Sequence, residues 1–596
     1  MSLHYAIRAA QPGAHLFHVT VTVDDPAPDG QRFMLPAWIP GSYMIREFAR
    51  NIVRLTALAG DRKLRAHKLD KHTWQVAPTD APLTLAYEVY AWDLSVRAAH
   101  LDETHGFFNG PSVFLLPLGR ERDACVVDIL PPDGARYADW TVATGLRPAR
   151  GTRRGRFGTY LADDYDELID CPVQIGRLAM ARFDVLGTPH EIAITGTVPK
   201  LDLKRLAADI ERLCEVQVRL FEPKTRRAPF AHYSFMTLAL GEVYGGLEHR
   251  NSTALICKRE GLPSAGMKDS TEAYRSFLGL ASHEYFHSWN VKRIRPAAFV
   301  PYQLGEENYT RLLWLFEGFT SYYDDLLLVR AGLITPAQYL DTLAATMTLV
   351  TQRSSRLKQS LSDSSFDAWI KYYRQDENAP NSVVSYYQKG ALVALALDLT
   401  LRAASRGRRS LDDFMRLLWR RWKDEGTGYT GVAEDAVAAL IEEATGVDVV
   451  RVLREWTEGT SDPDFAQLFA PLGIACERRV AVDSPHFALL GVKTAAAAGE
   501  CRIANVFDTT PAQRAGLSGG DVLVAFDGLR VTPSGIDKLL ARYMPGDTLR
   551  VTVFRRDELR EFDVQLAQQP PGRYTLAAIA AAPMASRRLR EGWLGG

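Results

Sequence analysis

Apolar and polar positions alternate along the first 170 or so residues. Val19, Val21 and Val23 alternate with Thr20 and Thr22, and Leu83, Leu85, Tyr87 and Val89 alternate with Thr84, Ala86 and Glu88. A period of two buries one face of a strand. Pro40-Gly41-Ser42 and Pro131-Pro132-Asp133-Gly134 supply turn signals between such runs. The pattern predicts a β-sandwich over residues 1–170. From about Pro172 the pattern is mixed. Residues 203–222 read as an amphipathic helix and Tyr233 to Leu240 as a strand. Helical periodicity then dominates from Tyr274 to about Glu458, with helices predicted over 274–291, 309–331, 383–404 and 410–423. Gly332 closes the second of these and Pro336 follows it, as helix ends prefer. Ala495 to Ala498 reads as a loop or strand edge. Strand alternation returns over 484–570, for instance at Leu549 to Arg555. The predicted fold class is multidomain α+β. It comprises the sandwich at 1–170, a mixed and then mainly helical domain at 171–475, a small β domain at 484–570 and a tail at 571–596.

One helix carries chemistry. Residues 283 to 287 read His283-Glu284-Tyr285-Phe286-His287, an HExxH pattern. Two His four residues apart lie one above the other on one helical face, so both imidazoles can grip one metal ion. Glu284 sits one residue round the helix, within reach of a water on that ion. Two nitrogen ligands and a general base are the arrangement of a zinc hydrolase.

Composition adds bounds. A chain of 596 residues exceeds what one core organises, and three or four domains are expected. Lys plus Arg and Asp plus Glu are both 71, so nothing marks nucleic acid or an anionic membrane as a partner. The six Cys are dispersed without a CxxC, which suits a reducing compartment and excludes a zinc knuckle. No secretory signal and no apolar stretch of about 18 residues is present, so a cytoplasmic chain without a membrane span is expected. Oligomeric state is left open, a homo-oligomer included.

A catalytic zinc usually takes three protein ligands and keeps one open position. Candidates for the third are Glu306, Glu307, Glu317, Asp324 and Asp325. Glu306 and Glu307 fall in a polar loop or helix start. Glu317 lies in Leu312-Leu313-Trp314-Leu315-Phe316-Glu317-Gly318-Phe319, where a carboxylate is costly unless paired or on a metal. Glu317 is the reading adopted.

These residues carry a resemblance. HExxH with a distal Glu on the next helix resembles the gluzincin metallopeptidases, which implies a thermolysin-like catalytic domain. In alanyl-type aminopeptidases the ligand follows the second His by nineteen residues, a count that lands on Glu306. The surrounding Trp-Leu-x-Glu-Gly-Phe pattern lands on Glu317 instead. The stretch from His283 to Pro296, together with Gly245-Gly246-Leu247-Glu248-His249-Arg250-Asn251-Ser252 and Pro40 to Glu47, resembles the glycyl aminopeptidase family. The resemblance implies one catalytic Zn2+ on His283, His287 and Glu317, and peptide substrates with a free N-terminus and a small first residue, Gly or Ala. It implies that Glu248 binds the substrate amine, with Gly245 and Gly246 allowing close backbone approach. His249 stands where the broader family has Asn. Tyr386-Tyr387-Gln388-Lys389-Gly390 is similar to a Tyr-Glu-Lys-Gly segment, which puts the oxyanion donor at Tyr387, with Tyr386 the alternative because neighbours on one helix cannot both point inward. The segment 484–570 resembles a PDZ domain whose Leu490-Gly491-Val492 turn would offer N–H groups to a peptide C-terminus. Other readings stay open: iron-dependent oxygen chemistry on two His and a carboxylate, epoxide hydrolysis, or a peptide-binding, chaperone-like protein with little peptidase activity.

Overall fold

The computed structural model describes residues 2–479, 488–497, 499–568 and 572–595. Residues 484–487 and 569–571, at the ends of the expected C-terminal segments, and Ala498 lie outside them. The chain forms two compact units. One comprises Met1–Tyr309, Tyr323–Ile334 and Met415–Glu434. The other comprises Thr310–Tyr322, Thr335–Phe414 and Asp435–Gly596.

The first unit opens with the expected β-rich region. Ser2–Gln11 and Leu16–Val23 form a hairpin inside an eight-stranded sheet, where Ser2–Gln11 also pairs in parallel with Ala124–Leu130. Alternate positions such as Tyr5, Ile7, Val19, Val21 and Leu85 are buried, as the period of two requires. A five-stranded sheet follows. Its centre holds Thr188–Thr195, Tyr233–Leu240 and Ser252–Lys258 in parallel, and the short strand Gly245–Glu248 closes one edge antiparallel to Ser252–Lys258. Alternation on that edge strand splits its side chains. Leu247 is buried in the core shared with the N-terminal β-region, while Gly246 and Glu248 face the other side.

Helix Glu272–Phe286 packs against this edge strand and its neighbour. Thr271 caps it by accepting from the Tyr274 N–H. It ends five residues before the predicted 291. The chain turns instead, with the Ile294 N–H donating to the Trp289 carbonyl, and Pro296 then holds the chain extended. Tyr285, at the centre of HExxH, is fully buried against His190, whose Nε2 lies 3.0 Å from its hydroxyl. Burial pushes the His190 imidazole down to about 4 from an ordinary value near 6.5. The unfolded chain therefore binds this proton first. The stability that neutral His190 contributes is present above pH 6.5 and is lost as pH falls toward 4. The advantage of the wild type over a His190→Gln variant in urea unfolding should shrink by about 3 kcal/mol between pH 7 and pH 4; a constant difference across that range would refute it.

The predicted helix 309–331 begins later and divides into Leu313–Phe316 and Gly318–Arg330 around Glu317. The hydrogen-bond ladder runs through the division, since the Glu317 N–H donates to Leu313 and its carbonyl accepts from Ser321. Gly318 and Gly390 explain the local packing. A Cβ on Gly318 would lie 2.6 Å from the Gly390 backbone, so two chain segments touch where neither has a side chain. Helix Gln388–Ser405 starts five residues after the predicted 383, because the chain is still extended at Val383, and the Val384 N–H donates to the Gln359 side chain. Pro336–Thr351 opens on a capping box from Thr335 and Gln338. Val492–Ala497 is the edge strand of the C-terminal sheet, so the Ala run is a strand as far as Ala497. This β domain docks on the helical part. The Asn381 amide donates to the Val506 carbonyl at 2.8 Å and accepts from the Asp508 N–H at 3.0 Å, and Asp508 also pairs with Ser354 and Lys358. The segment read as a tail is structured from Gly572 on. Arg573–Ala578 pairs with Ile474–Arg479, and helix Met584–Leu594 buries Trp593, whose Nε1 donates to the Tyr322 hydroxyl at 2.9 Å. No helix among the described residues is long and apolar enough to cross a membrane.

Candidate active site

His283 and His287 occupy the last turn of helix Glu272–Phe286, His287 as its C-cap. Their rings stand 4.6 Å apart at 85°. His283 Nδ1 lies 3.1 Å from Asp324 Oδ2, and His287 Nδ1 lies 2.7 Å from the Asn290 carbonyl oxygen. Carboxylate and carbonyl oxygens only accept, so each Nδ1 carries the proton and each Nε2 presents its lone pair. A partner behind each imidazole is the support that metal-binding His residues have. Asp324, weighed as a ligand from the sequence, thus stands behind His283. Burial raises the carboxyls of Asp324 and Asp325 together.

Glu317 is 2% exposed, whereas Glu306 is exposed in a turn held by Asn308. Among the described residues, the ligand atoms of His283, His287 and Glu317 lie within 4.8 Å of one another. Two nitrogens and a carboxylate at that separation suit zinc by donor type. Ligand atoms of Glu248, Glu284 and His287 also lie within 4.8 Å of one another. Gly246 explains how: a Cβ there would collide with the Glu284 carboxylate, so only a glycine edge lets the strand and helix approach this closely.

Three residues behind Glu248 were not legible as a group. Lys292 Nζ reaches Asp170 Oδ1 at 2.5 Å, His249 Nδ1 lies 3.2 Å from the same oxygen, and the Arg250 N–H donates to Asp170 Oδ2 at 3.0 Å. Burial alone would raise the Asp170 carboxyl, but Lys292 and Arg250 hold it well below the usual range. His249, standing where the broader pattern has Asn, therefore serves this buried network; its Nε2 has no hydrogen-bond partner among the described residues. The sequence signal was the unusual charge density of Lys292-Arg293-Ile294-Arg295 next to HExxH.

Tyr386 and Tyr387 precede their helix instead of lying on it, Tyr387 as the N-cap. Tyr387 keeps helical dihedrals, and the two rings stack at 4.8 Å and 29°. Tyr386 is fully buried, and burial raises its hydroxyl well above the ordinary value. Tyr387 is half-buried, with its hydroxyl 3.2 Å from that of Tyr373. Leu490, Gly491 and Val492 form the turn into the edge strand Val492–Ala497. Leu490 is buried, Gly491 adopts φ +91 against Thr510, and Val492 pairs with Val506. A further cluster, His100, Asp102 and His105, also brings ligand-type atoms within 4.8 Å. There Asp102 Oδ1 accepts from the Thr104 and His105 N–H groups and closes a hairpin turn.

A helix presenting HExxH beside a glycine-lined strand edge and a buried carboxylate defines a peptidase. The family model described as M61 glycyl aminopeptidase matches residues 276–393, the Peptidase M61 N-terminal domain matches 4–177, and a PDZ domain matches 488–566. The crystal structure of an aminopeptidase N family protein from Idiomarina loihiensis is 38% identical, covers 99% of this chain and 100% of its own, and superposes with a TM-score of 0.93. The chain belongs to the M61 glycyl aminopeptidase family. Two structures of an M1 zinc metallopeptidase from Deinococcus radiodurans, one of them a variant, are each 17% identical over 78% of this chain and 95% and 94% of their own, with TM-scores of 0.48 and 0.47. No curated protein matches.

Proposed function

We propose that this chain is a zinc-dependent aminopeptidase of the cytoplasm that removes single N-terminal residues, small ones such as Gly and Ala first. The observation that carries the reading is Glu248 beside Glu284 and His287. A buried carboxylate in that position can hold a free α-ammonium next to the base and the ligands, and would leave a blocked N-terminus unpaired. His283, His287 and Glu317 would hold one zinc ion. When bound, it supplies Lewis acidity toward water and the scissile carbonyl. Glu284 takes the proton of the attacking water on its carboxylate and returns it to the departing amine. Glu248 fixes the substrate by its ammonium, which orients the first peptide bond over Glu284. Gly245 and Gly246 admit the peptide backbone along the open strand edge. Tyr387, the more accessible of the stacked pair, donates its O–H to the developing oxyanion. The turn at Leu490, Gly491 and Val492 takes a peptide C-terminal carboxylate at the edge strand. Release of p-nitroaniline from Gly- and Ala-anilides should stop with chelator and return with zinc, and N-acetylated counterparts should resist cleavage. No chelator-sensitive release, with peptide binding at the PDZ domain intact, would sink the peptidase reading.

A further inference from the structure

The N-terminal turn Pro40-Gly41-Ser42 is far in sequence from the catalytic helix, yet its glycine lies on the carboxylate of Glu248. Gly41 has φ +98, and a Cβ built on it would stand 2.6 Å from both Glu248 oxygens. A bare Cα therefore covers one side of that carboxylate, while Glu284 and His287 stand near it. The turn is held firmly. Its Ser42 N–H donates to the Ile39 carbonyl at 3.0 Å, and Arg46 Nη2 donates to the Ser42 hydroxyl at 2.7 Å. Two more bonds anchor the approach to it, from the Ala37 N–H to the Leu304 carbonyl at 2.8 Å and from Trp38 Nε1 to the Gln303 carbonyl at 2.9 Å. Neither a strand nor a helix requires glycine at position 41. Its φ of +98 and the close approach to Glu248 both do.

We infer that Gly41 is a specificity-determining positioning residue that walls the amine pocket and restricts it to primary α-ammonium groups. The inference rests on Glu248 as the amine-binding carboxylate. With Gly41 fixing one face of the carboxylate, an ammonium must enter the narrow space that remains. Three N–H groups fit there, and an N-methyl group must displace the turn or the carboxylate. Any side chain at position 41 pushes Glu248 away and removes the discrimination between amine and no amine.

The test uses the zinc-loaded full chain and binding by calorimetry. The probes are alanine hydroxamate, its des-amino counterpart propionohydroxamate, and N-methylalanine hydroxamate. Wild type should bind the primary amine roughly 10- to 100-fold more tightly than the des-amino probe, the range of a charged hydrogen bond, and should bind the N-methyl probe no better than the des-amino one. Gly41→Ala should bring the amine preference to within about threefold while leaving propionohydroxamate affinity unchanged. A Gly41→Ala protein that weakens both probes equally, or keeps the preference, overturns the inference. So does a wild type that binds the N-methyl probe as tightly as the primary amine, a result that needs no variant to fold. Glu248→Ala separates the two layers. If it keeps the amine preference, the assignment of Glu248 fails and this inference with it. If it abolishes the preference and Gly41→Ala does not, only the role of Gly41 fails.

Discussion

Glu284→Gln should retain its zinc and lose about 10³-fold in kcat, the range of a positioned general base. Gln keeps the shape and the contact with the Gly246 edge but cannot take a proton. The distinction matters because Glu284 is buried beside His287 and Glu248, so a larger or shorter replacement would disturb binding as well as proton transfer. Metal content by mass spectrometry of the native protein, set beside kcat on an alanyl anilide, checks both halves. Full turnover in the variant would remove Glu284 from its role, and loss of metal would show that its contribution is to the ligand set.

Glu317→Ala should release the zinc. Removing a partner behind a ligand typically costs 10- to 100-fold in affinity, and removing one of three ligands should exceed that, with about 100-fold as the lower bound. Activity should then be undetectable at micromolar metal and return in part at high zinc. The alternative ligand Glu306 makes the contrast: Glu306→Ala, in an exposed turn, should change zinc affinity by less than about twofold. A metal affinity that follows Glu306 and ignores Glu317 would restore the simple nineteen-residue count. The competition assay uses a chromophoric chelator, so the result does not depend on turnover.

The parts of the site written in local spacing were legible. HExxH is an i, i+4 relation on one helix, and Glu317 was betrayed by its apolar neighbours. What depended on distant partners was not legible. Asp324 stood among the ligand candidates because a carboxylate near the site is all that sequence displays; that it faces Nδ1 of His283 needs the helix Gly318–Arg330 in place. Asp170 lies more than a hundred residues before Lys292, and no local pattern joins them. Helix ends were misjudged for one reason. Apolar periodicity continues past the point where the backbone leaves helical geometry, as it does at the extended Val383.

The burial of Trp593 bears on the order in which the chain is made. Its indole bonds the hydroxyl of Tyr322 and packs against Tyr339 and Phe469. Tyr322 follows Glu317 by five residues on the same stretch of helix. A ribosome that has translated Glu317 must still add some 270 residues, the separation of Tyr322 and Trp593, before that stretch acquires its last packing partner. That last packing step therefore waits on some 270 residues of further synthesis, well after the residues around Glu317 have been made.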